Sequence, residues 1–348
     1  MTDPADSTGS GSSSGSTGST GSTGSAGRAR ARAAAELHAV RAGALTTVQD
    51  LGRPGHAHLG VPRSGALDEP AHRLANRLLG NPENAATLET TLDGCAVLVT
   101  AGGQGRSGPP PADPKVTAGG ETSRGPVTEA VVTGAPCAVT VDGRPAPWGV
   151  PFRLAAGAVL DVGPAERGLR SYIAFSGGVD AEPVLGSRAT DLLSGLGPEP
   201  LRDGARLPLG ATSAAGPRHG AAIDTAPWAG PPGELVLPVV PGPRADWFTG
   251  EALRTLLTGG YRVSSASNRI GLRLEGPVLE RAREGELPSE GIALGALQVP
   301  PEGRPVVFLA DHPVTGGYPV IGVVPQEALA AVAQAVPGTP VRFTPVSG

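Results

Sequence analysis

Ser289-Glu290-Gly291-Ile292-Ala293-Leu294-Gly295-Ala296-Leu297-Gln298-Val299-Pro300 is followed closely by Leu309-Ala310-Asp311-His312-Pro313-Val314-Thr315-Gly316-Gly317-Tyr318-Pro319. Glu, Gln, Asp, Thr and Tyr stand here between glycines and short apolar runs. That is the composition of a polar site carried on loops at the rim of a β-scaffold. The neighbouring runs, Val306-Val307-Phe308-Leu309 and Val320-Ile321-Gly322-Val323-Val324, have the length and β-branched content of strands.

The same pattern extends outward. Leu235-Val236-Leu237, Tyr261-Arg262-Val263 and Gly271-Leu272-Arg273-Leu274 precede the quoted stretch. Further back come Ala44 to Asp50, Ala96 to Thr100, Ala138 to Val141, Ala158 to Val162 and Ser171 to Phe175. Many short strands separated by Gly/Pro turns favour a barrel or sandwich over a doubly wound fold.

Helical signals are few. Asp68 is a fitting N-cap, Pro70 sits in the first turn and Gly80 follows the end, which predicts a helix from Asp68 to Leu79. Its apolar stripe is Ala71, Leu74, Ala75, Leu78 and Leu79, which leaves His72, Arg73, Asn76 and Arg77 on the outer surface. Two further helices are expected, from Glu251 to Leu257 and from Gln326 to about Ala335. The second would bury Leu329, Val332, Ala333 and Val336 on one face. The fold class that follows is mainly β: two β-barrel-like lobes, a few short helices and a disordered N-terminal tail.

The expected organisation is a Ser/Gly/Thr-rich tail over 1–35, a first lobe over 36–216, a linker over 217–233 and a second lobe over 234–348. The tail cannot bury enough surface to offset its ordering entropy. The first lobe carries a Pro/Gly-rich loop at 103–125. With 39% hydrophobic but only 3% aromatic residues, the core must be built from Val, Leu, Ala and Ile. A net charge of -4 gives no basic surface for nucleic acid. Cys95 and Cys137, the only cysteines, sit in apolar runs and read as buried free thiols in a reducing compartment. No stretch has the character of a signal peptide or the roughly 20 apolar residues of a membrane span. The expected location is the cytoplasm, with no membrane partner.

Two glycine motifs are set aside. Gly11-Ser12-Ser13-Ser14-Gly15 lacks the strand and helix that a hydrolase elbow needs. Gly103-Gln104-Gly105-Arg106-Ser107-Gly108 runs into Pro109, Pro110 and Pro111, which forbid the helix a dinucleotide fingerprint must open. His56 and His58 lack a third ligand at metal spacing, so they read as a loop pair. His312 could titrate near neutrality or merely precede a constrained turn at Pro313. Glu89 and Glu290 are carboxylates in apolar contexts, which either pair with Arg53 or Arg269 or bind substrate.

Several motifs carry a resemblance. They are Leu51-Gly52-Arg53-Pro54-Gly55, Gly60 to Asp68, Ala75-Asn76-Arg77-Leu78-Leu79-Gly80-Asn81, Ser176-Gly177-Gly178-Val179, Leu185 to Asp191 and Ser267 to Gly276, together with the stretch quoted first. Over about Leu37 to Thr344 the chain resembles the allophanate hydrolase subunit 2 family, also called the biotin-dependent carboxyltransferase family, which includes the C subunits of 5-oxoprolinases. The resemblance implies cyclophilin-like β-barrels. It implies one component of an ATP-dependent 5-oxoprolinase, which opens 5-oxo-L-proline to L-glutamate. The implied partners are a cyclophilin-like B subunit and a hydrolase-like A subunit. The alternatives are the carboxyltransferase component of a biotin-dependent, urea carboxylase-like enzyme, and a regulator that binds a kinase inhibitor resembling the B subunit. ATP or biotin chemistry would need partner chains, because no ATP-grasp or biotin-attachment segment is recognisable. By this resemblance Glu290, Asp311, His312 and Tyr318 are catalytic candidates. Arg53, Asn76, Glu89, Arg269 and Gln298 are candidates to bind substrate, and no metal is expected.

Overall fold

The computed structural model describes residues 35–101, 128–211, 230–285 and 287–346. The N-terminal tail, the 103–125 loop, both glycine motifs and most of the 217–233 linker lie outside the described residues. All described residues belong to one compact unit.

The mainly β expectation holds. In the first half a six-stranded sheet has the order Arg206–Pro208, Ala35–Arg41, Cys95–Ala101, Val159–Ala165, Cys137–Val141, Arg144–Ala146. A five-stranded sheet has the order Leu45–Gln49, Thr87–Thr91, Arg170–Phe175, Thr128–Gly134, Phe152–Leu154. Along Ala35–Arg41 the apolar Ala35, Leu37 and Ala39 are buried while Glu36 and His38 are only half-buried, the two-residue period of a one-sided strand. Leu37, Val97 and Val99 from one sheet and Val48, Leu88 and Ile173 from the other share a single apolar core. The two sheets are therefore layers of one sandwich. Two edge strands carry Pro145 and Pro208, which cannot donate to a further strand.

The second half closes. Leu235–Pro241, Val320–Val323, Ala296–Gln298, Val306–Phe308, Gly271–Glu275, Tyr261–Val263 and Pro340–Pro345 form a seven-stranded barrel. Closure comes from a parallel pairing of Leu235–Pro241 with Pro340–Pro345. Leu67, from the first half, belongs to the barrel's apolar core.

Helix α1 spans Glu69–Leu78, and Asp68 caps it by accepting from Ala71 N at 3.1 Å. Its buried face differs from the expected stripe. His72 and Asn76 are fully buried, whereas Leu74 and Leu78 are only half-buried. The helix lies against the Arg170–Phe175 and Thr128–Gly134 strands through Ala75 and Leu79. A polar turn at 83–87 flanks it, and that turn takes up the two polar side chains. His72 Nδ1 pairs with Thr87 Oγ1 at 2.9 Å, and Asn76 Nδ2 donates to Ala85 O at 2.8 Å. Helix α2 spans Gly250–Thr258, capped by Thr249. The stretch expected as one helix from Gln326 splits into a 3-10 turn, Gln326–Ala328, and a short α3, Leu329–Ala333. Pro325 offers no capping side chain, so the first turn tightens. Val336 falls beyond α3 and is 37% exposed rather than buried.

Cys95 and Cys137 are free and buried in the sandwich core. Burial pushes their thiols up to about 12 and about 11. Among the described residues no helix is long and apolar enough to cross a membrane.

Candidate functional site at the junction of the two halves

After the Leu45–Gln49 strand the chain makes a loop, 50–66, whose ends are tied together. Arg53 N donates to Arg63 O at 2.7 Å and Ala66 N to Asp50 O at 2.9 Å. Gly52 and Gly65 meet back to back with φ of +80 and +97, and a Cβ on Gly65 would lie 2.8 Å from Gly52 N. Only glycine permits that approach in that conformation. The Asp50 carboxylate accepts from Gly52 N (2.7 Å), Ser187 Oγ (2.6 Å) and Arg188 N (2.6 Å). Ser64, left-handed with φ 53, donates its backbone N–H to Ala310 O at 2.9 Å. That bond fastens the loop to the barrel.

Behind the loop lies a buried polar network. Arg269 is fully buried and donates from Nε and Nη2 to the Asp311 carboxylate at 2.9 and 3.1 Å. Its Nη1 donates to Glu89 and its Nη2 also to Gly65 O at 2.7 Å. Asp311 accepts further from Ser64 Oγ (2.8 Å) and Leu192 N (3.2 Å). Glu89 accepts from Leu67 N (3.0 Å) and Tyr172 OH (2.8 Å), with Arg170 Nε 3.6 Å away. Burial pushes the Glu89 carboxyl up, but Arg269 and Arg170 outweigh it and hold the group below the ordinary carboxylate range. Burial likewise opposes the Arg269 charge, and Asp311 with Glu89 more than restores it. Two buried anions thus face two buried cations, the condition under which such burial is tolerable.

Gln334 adds a second tie. Its Nε2 donates to Asp68 Oδ2 (2.7 Å) and Arg170 O (2.9 Å), and its Oε1 accepts from Leu169 N and Arg170 N, both at 3.0 Å. The side-chain amide pairs with the Arg170 backbone as a neighbouring strand would.

Two clefts open beside this network, and Arg63 borders both. One, of about 220 Å³, is lined by Arg63, Glu69, Arg73 and Gln326 over an apolar floor that includes Leu67 and Leu329. The other, of about 240 Å³, is lined by Arg53, His56, Arg63 and His312, with Ile292 and Val314 among its apolar walls. Arg63 and His312 are the sequence neighbours of Ser64 and Asp311, so the network sets where the second cleft's basic side chains begin.

His312 is mostly buried, and its Nδ1 lies 2.8 Å from Pro313 O. A carbonyl can only accept, so Nδ1 carries the proton. Burial lowers the pKa of the ring. The Pro313 carbonyl and Asp311 pull the other way, and Arg63 adds to the lowering. The neutral ring leaves Nε2 with a free lone pair. Arg53 donates to Ala189 O and, from Nε, to Val184 O at 3.3 Å. Its buried Nη1 has no hydrogen-bond partner, and the nearest carboxylate oxygen, on Asp191, is 3.9 Å away.

The nine residues singled out in the sequence fall into groups. Glu89, Arg269 and Asp311 meet in the network, and Arg53 and His312 meet at the second cleft. Glu290, half-buried, pairs with Arg244 rather than with Arg53 or Arg269. It lies on a two-stranded ribbon, Glu290–Gly291 with Thr315–Gly316. Gln298 donates to Tyr318 O at 3.1 Å, and Arg281 sits 5.7 Å over the Tyr318 ring. Asn76 is buried under α1, away from both cleft linings. Three participants went unrecognised in the sequence, Arg63, Arg170 and Gln334, and His56, read there as half of a loop pair, lines the second cleft. Arg63 could have been found beside the Ser64-Gly65 turn, whereas Gln334 ends an Ala-rich helix and carries no local signal. His56 and His58 have ring centroids 6.5 Å apart. Among the described residues no group of three or more His, Cys, Asp or Glu could hold a metal ion.

The sequence matches the family described as carboxyltransferase domain, subdomain A and B, over residues 59–103 and 118–345. It is 34% identical to the C subunit of the Escherichia coli 5-oxoprolinase, over 89% of this chain and 91% of that protein. It is 32% identical to the urea amidolyase of Lachancea kluyveri, over 88% of this chain but 16% of that protein. The crystal structure of TTHA0988 superposes with a TM-score of 0.74 at 33% identity, covering 90% of this chain and 57% of that one.

Proposed function

We propose a function from one premise: this chain belongs to the carboxyltransferase domain family, subdomain A and B. It acts as the C-type component of an ATP-dependent 5-oxoprolinase that opens 5-oxo-L-proline to L-glutamate in the cytoplasm. The observation that carries this reading is the 34% identity that extends over nine-tenths of both this chain and a 5-oxoprolinase C subunit. A cyclophilin-like B subunit and a hydrolase-like A subunit complete the enzyme.

The cleft at the junction is where this chain meets the substrate. A lactam resists water because its nitrogen donates into the carbonyl, so ring opening needs a base for the incoming water and an acid for the departing nitrogen. His312 Nε2 fits both parts. It takes a proton as water adds to the lactam carbon, and returns it to the ring nitrogen as the C–N bond breaks. The charges of Glu89, Arg269 and Asp311 are committed to one another and to the fold, so these residues position Arg63 and His312 rather than touch the substrate. Glu290 on its ribbon, paired with Arg244, and Gln298 bound to the Tyr318 carbonyl lie outside the cleft lining and shape the barrel end behind the Ile292 wall. Asn76 serves the fold beneath α1. The cleft, of about 240 Å³, is smaller than the roughly 300–1,000 Å³ usual for sites of drug-sized ligands. The nucleotide belongs on a partner or a shared surface, and no step on this chain runs through it.

The test is ATP-dependent glutamate release from 5-oxo-L-proline by the three candidate chains together and with this chain omitted. Loss of activity on omission is expected, and undiminished activity would sink the reading. The similarity to urea amidolyase favours one rival, a carboxyltransferase half serving a biotin-bearing partner. Urea-dependent ATP hydrolysis with a co-purified biotinylated chain would establish that reading instead.

A further inference from the structure

We infer that the cleft between the 50–66 loop and the 312–314 turn is a carboxylate-recognition site, in which Arg63 selects small monoanions over neutral amides of similar size. The naming of 5-oxo-L-proline as its ligand rests on the 5-oxoprolinase reading; the charge selection does not.

Two guanidiniums, Arg53 and Arg63, two imidazoles and no carboxylate line this cleft. Arg53 sits at its base with Nη1 buried and without a hydrogen-bond partner, its closest counter-charge 3.9 Å off at Asp191. Arginine keeps its proton under such burial. Arg63 stands at the rim, its side chain 29% exposed. Its counter-ion Glu69, 3.1 Å away, is claimed as well by Arg73 at 2.5 Å. Arg73 is held by Glu83 as well, and Glu83 also takes Arg77, so three guanidiniums share two carboxylates and the cluster keeps one positive charge in excess. Apolar walls such as Ile292 and Val314 thin out the competing water, which strengthens a charged hydrogen bond across the cleft.

Size and shape narrow the ligand. The cleft, of about 240 Å³, has room for one small ring with a single carboxylate. A guanidinium meets a carboxylate with two parallel N–H bonds, which a neutral amide cannot return in kind. A neutral occupant would leave Arg63 with only the Glu69 carboxylate that it shares with Arg73.

The experiment is calorimetric titration of the full chain with three probes near pH 7. They are 5-oxo-L-proline, 2-pyrrolidinone (the same lactam without the carboxylate) and cyclopentanecarboxylate (a ring carboxylate without the lactam). Both carboxylates should bind at least about tenfold more tightly than 2-pyrrolidinone. Arg63→Gln should remove that advantage and Arg63→Lys should recover part of it. Arg63 is partly exposed, so neither variant threatens the fold. Equal affinity for 2-pyrrolidinone and 5-oxo-L-proline, an unchanged advantage in Arg63→Gln, or no binding of either carboxylate overturns the inference. Binding of cyclopentanecarboxylate with none of 5-oxo-L-proline supports the anion site while removing support from the 5-oxoprolinase reading.

Discussion

His72 shows how much one buried side chain can couple this fold to pH. Burial lowers its pKa to about 4, against the opposing pull of Asp50, the Glu83 carbonyl and Glu89. In the folded chain the ring stays neutral down to that value, whereas in the unfolded chain it takes up a proton near 6.5. Between those limits the unfolded state binds more protons. The stability His72 confers is therefore full above about pH 6.5 and is lost as pH falls toward about 4, a swing of roughly 3 kcal/mol. Urea midpoints of the native chain and of His72→Gln, measured from pH 7.5 to 4, should converge as the pH falls. A constant separation would refute the assignment. Neither the burial of His72 nor that of Asn76 was legible in the sequence. Periodicity sorts a helix face by apolarity, but the neighbour of this face is a polar turn whose Thr87 and Ala85 groups need partners. His312 and Arg53 stood out because local turn chemistry marks loops. The ion pairs that hold them in place join residues up to 180 positions apart, which no local pattern records.

At the scale of elements, the punctuation of α1 was readable because an N-cap, a first-turn proline and a closing glycine act on adjacent backbone. Strands were readable for the same reason, from runs of β-branched residues bounded by turns. Closure was not: whether strands form a barrel or an open sandwich depends on pairing between chain ends, here Leu235–Pro241 with Pro340–Pro345. The 50–66 loop allows a sharp comparison between two glycines of similar φ. A Cβ at Gly65 would strike backbone at 2.8 and 2.9 Å, whereas one at Gly55 would meet open space. Gly55→Ala should cost only left-handed strain, about 1 kcal/mol. Gly65→Ala should cost clearly more and weaken ligand binding at the cleft, since the loop ends must part. Matched thermal midpoints for the two variants would show that the loop is not closed as described.

At the scale of the molecule, sandwich and barrel are joined through charge rather than through a broad apolar seam alone. Glu89 and Asp68 belong to the first half, Arg269, Asp311 and Gln334 to the second, and each satisfies the other's buried groups. The native chain should accordingly unfold in a single transition. Arg269→Ala leaves Glu89 and Asp311 buried without their shared cation, a loss of about 3–5 kcal/mol. Calorimetric scans should show a lowered midpoint and separate melting of the two halves. A shift below about 1 kcal/mol, with one transition retained, would mean that the network is incidental to the union.

The same architecture hides two thiols in the sandwich core, Cys95 and Cys137, each held far from its thiolate form. A thiol has to become a thiolate in contact with water before an electrophile can modify it. Modification of either cysteine in the native protein must therefore wait for the sheets to part. When an alkylating reagent reacts faster than the sheets reclose, its rate of entry counts those partings one by one, so the protein carries an internal clock for its own breathing.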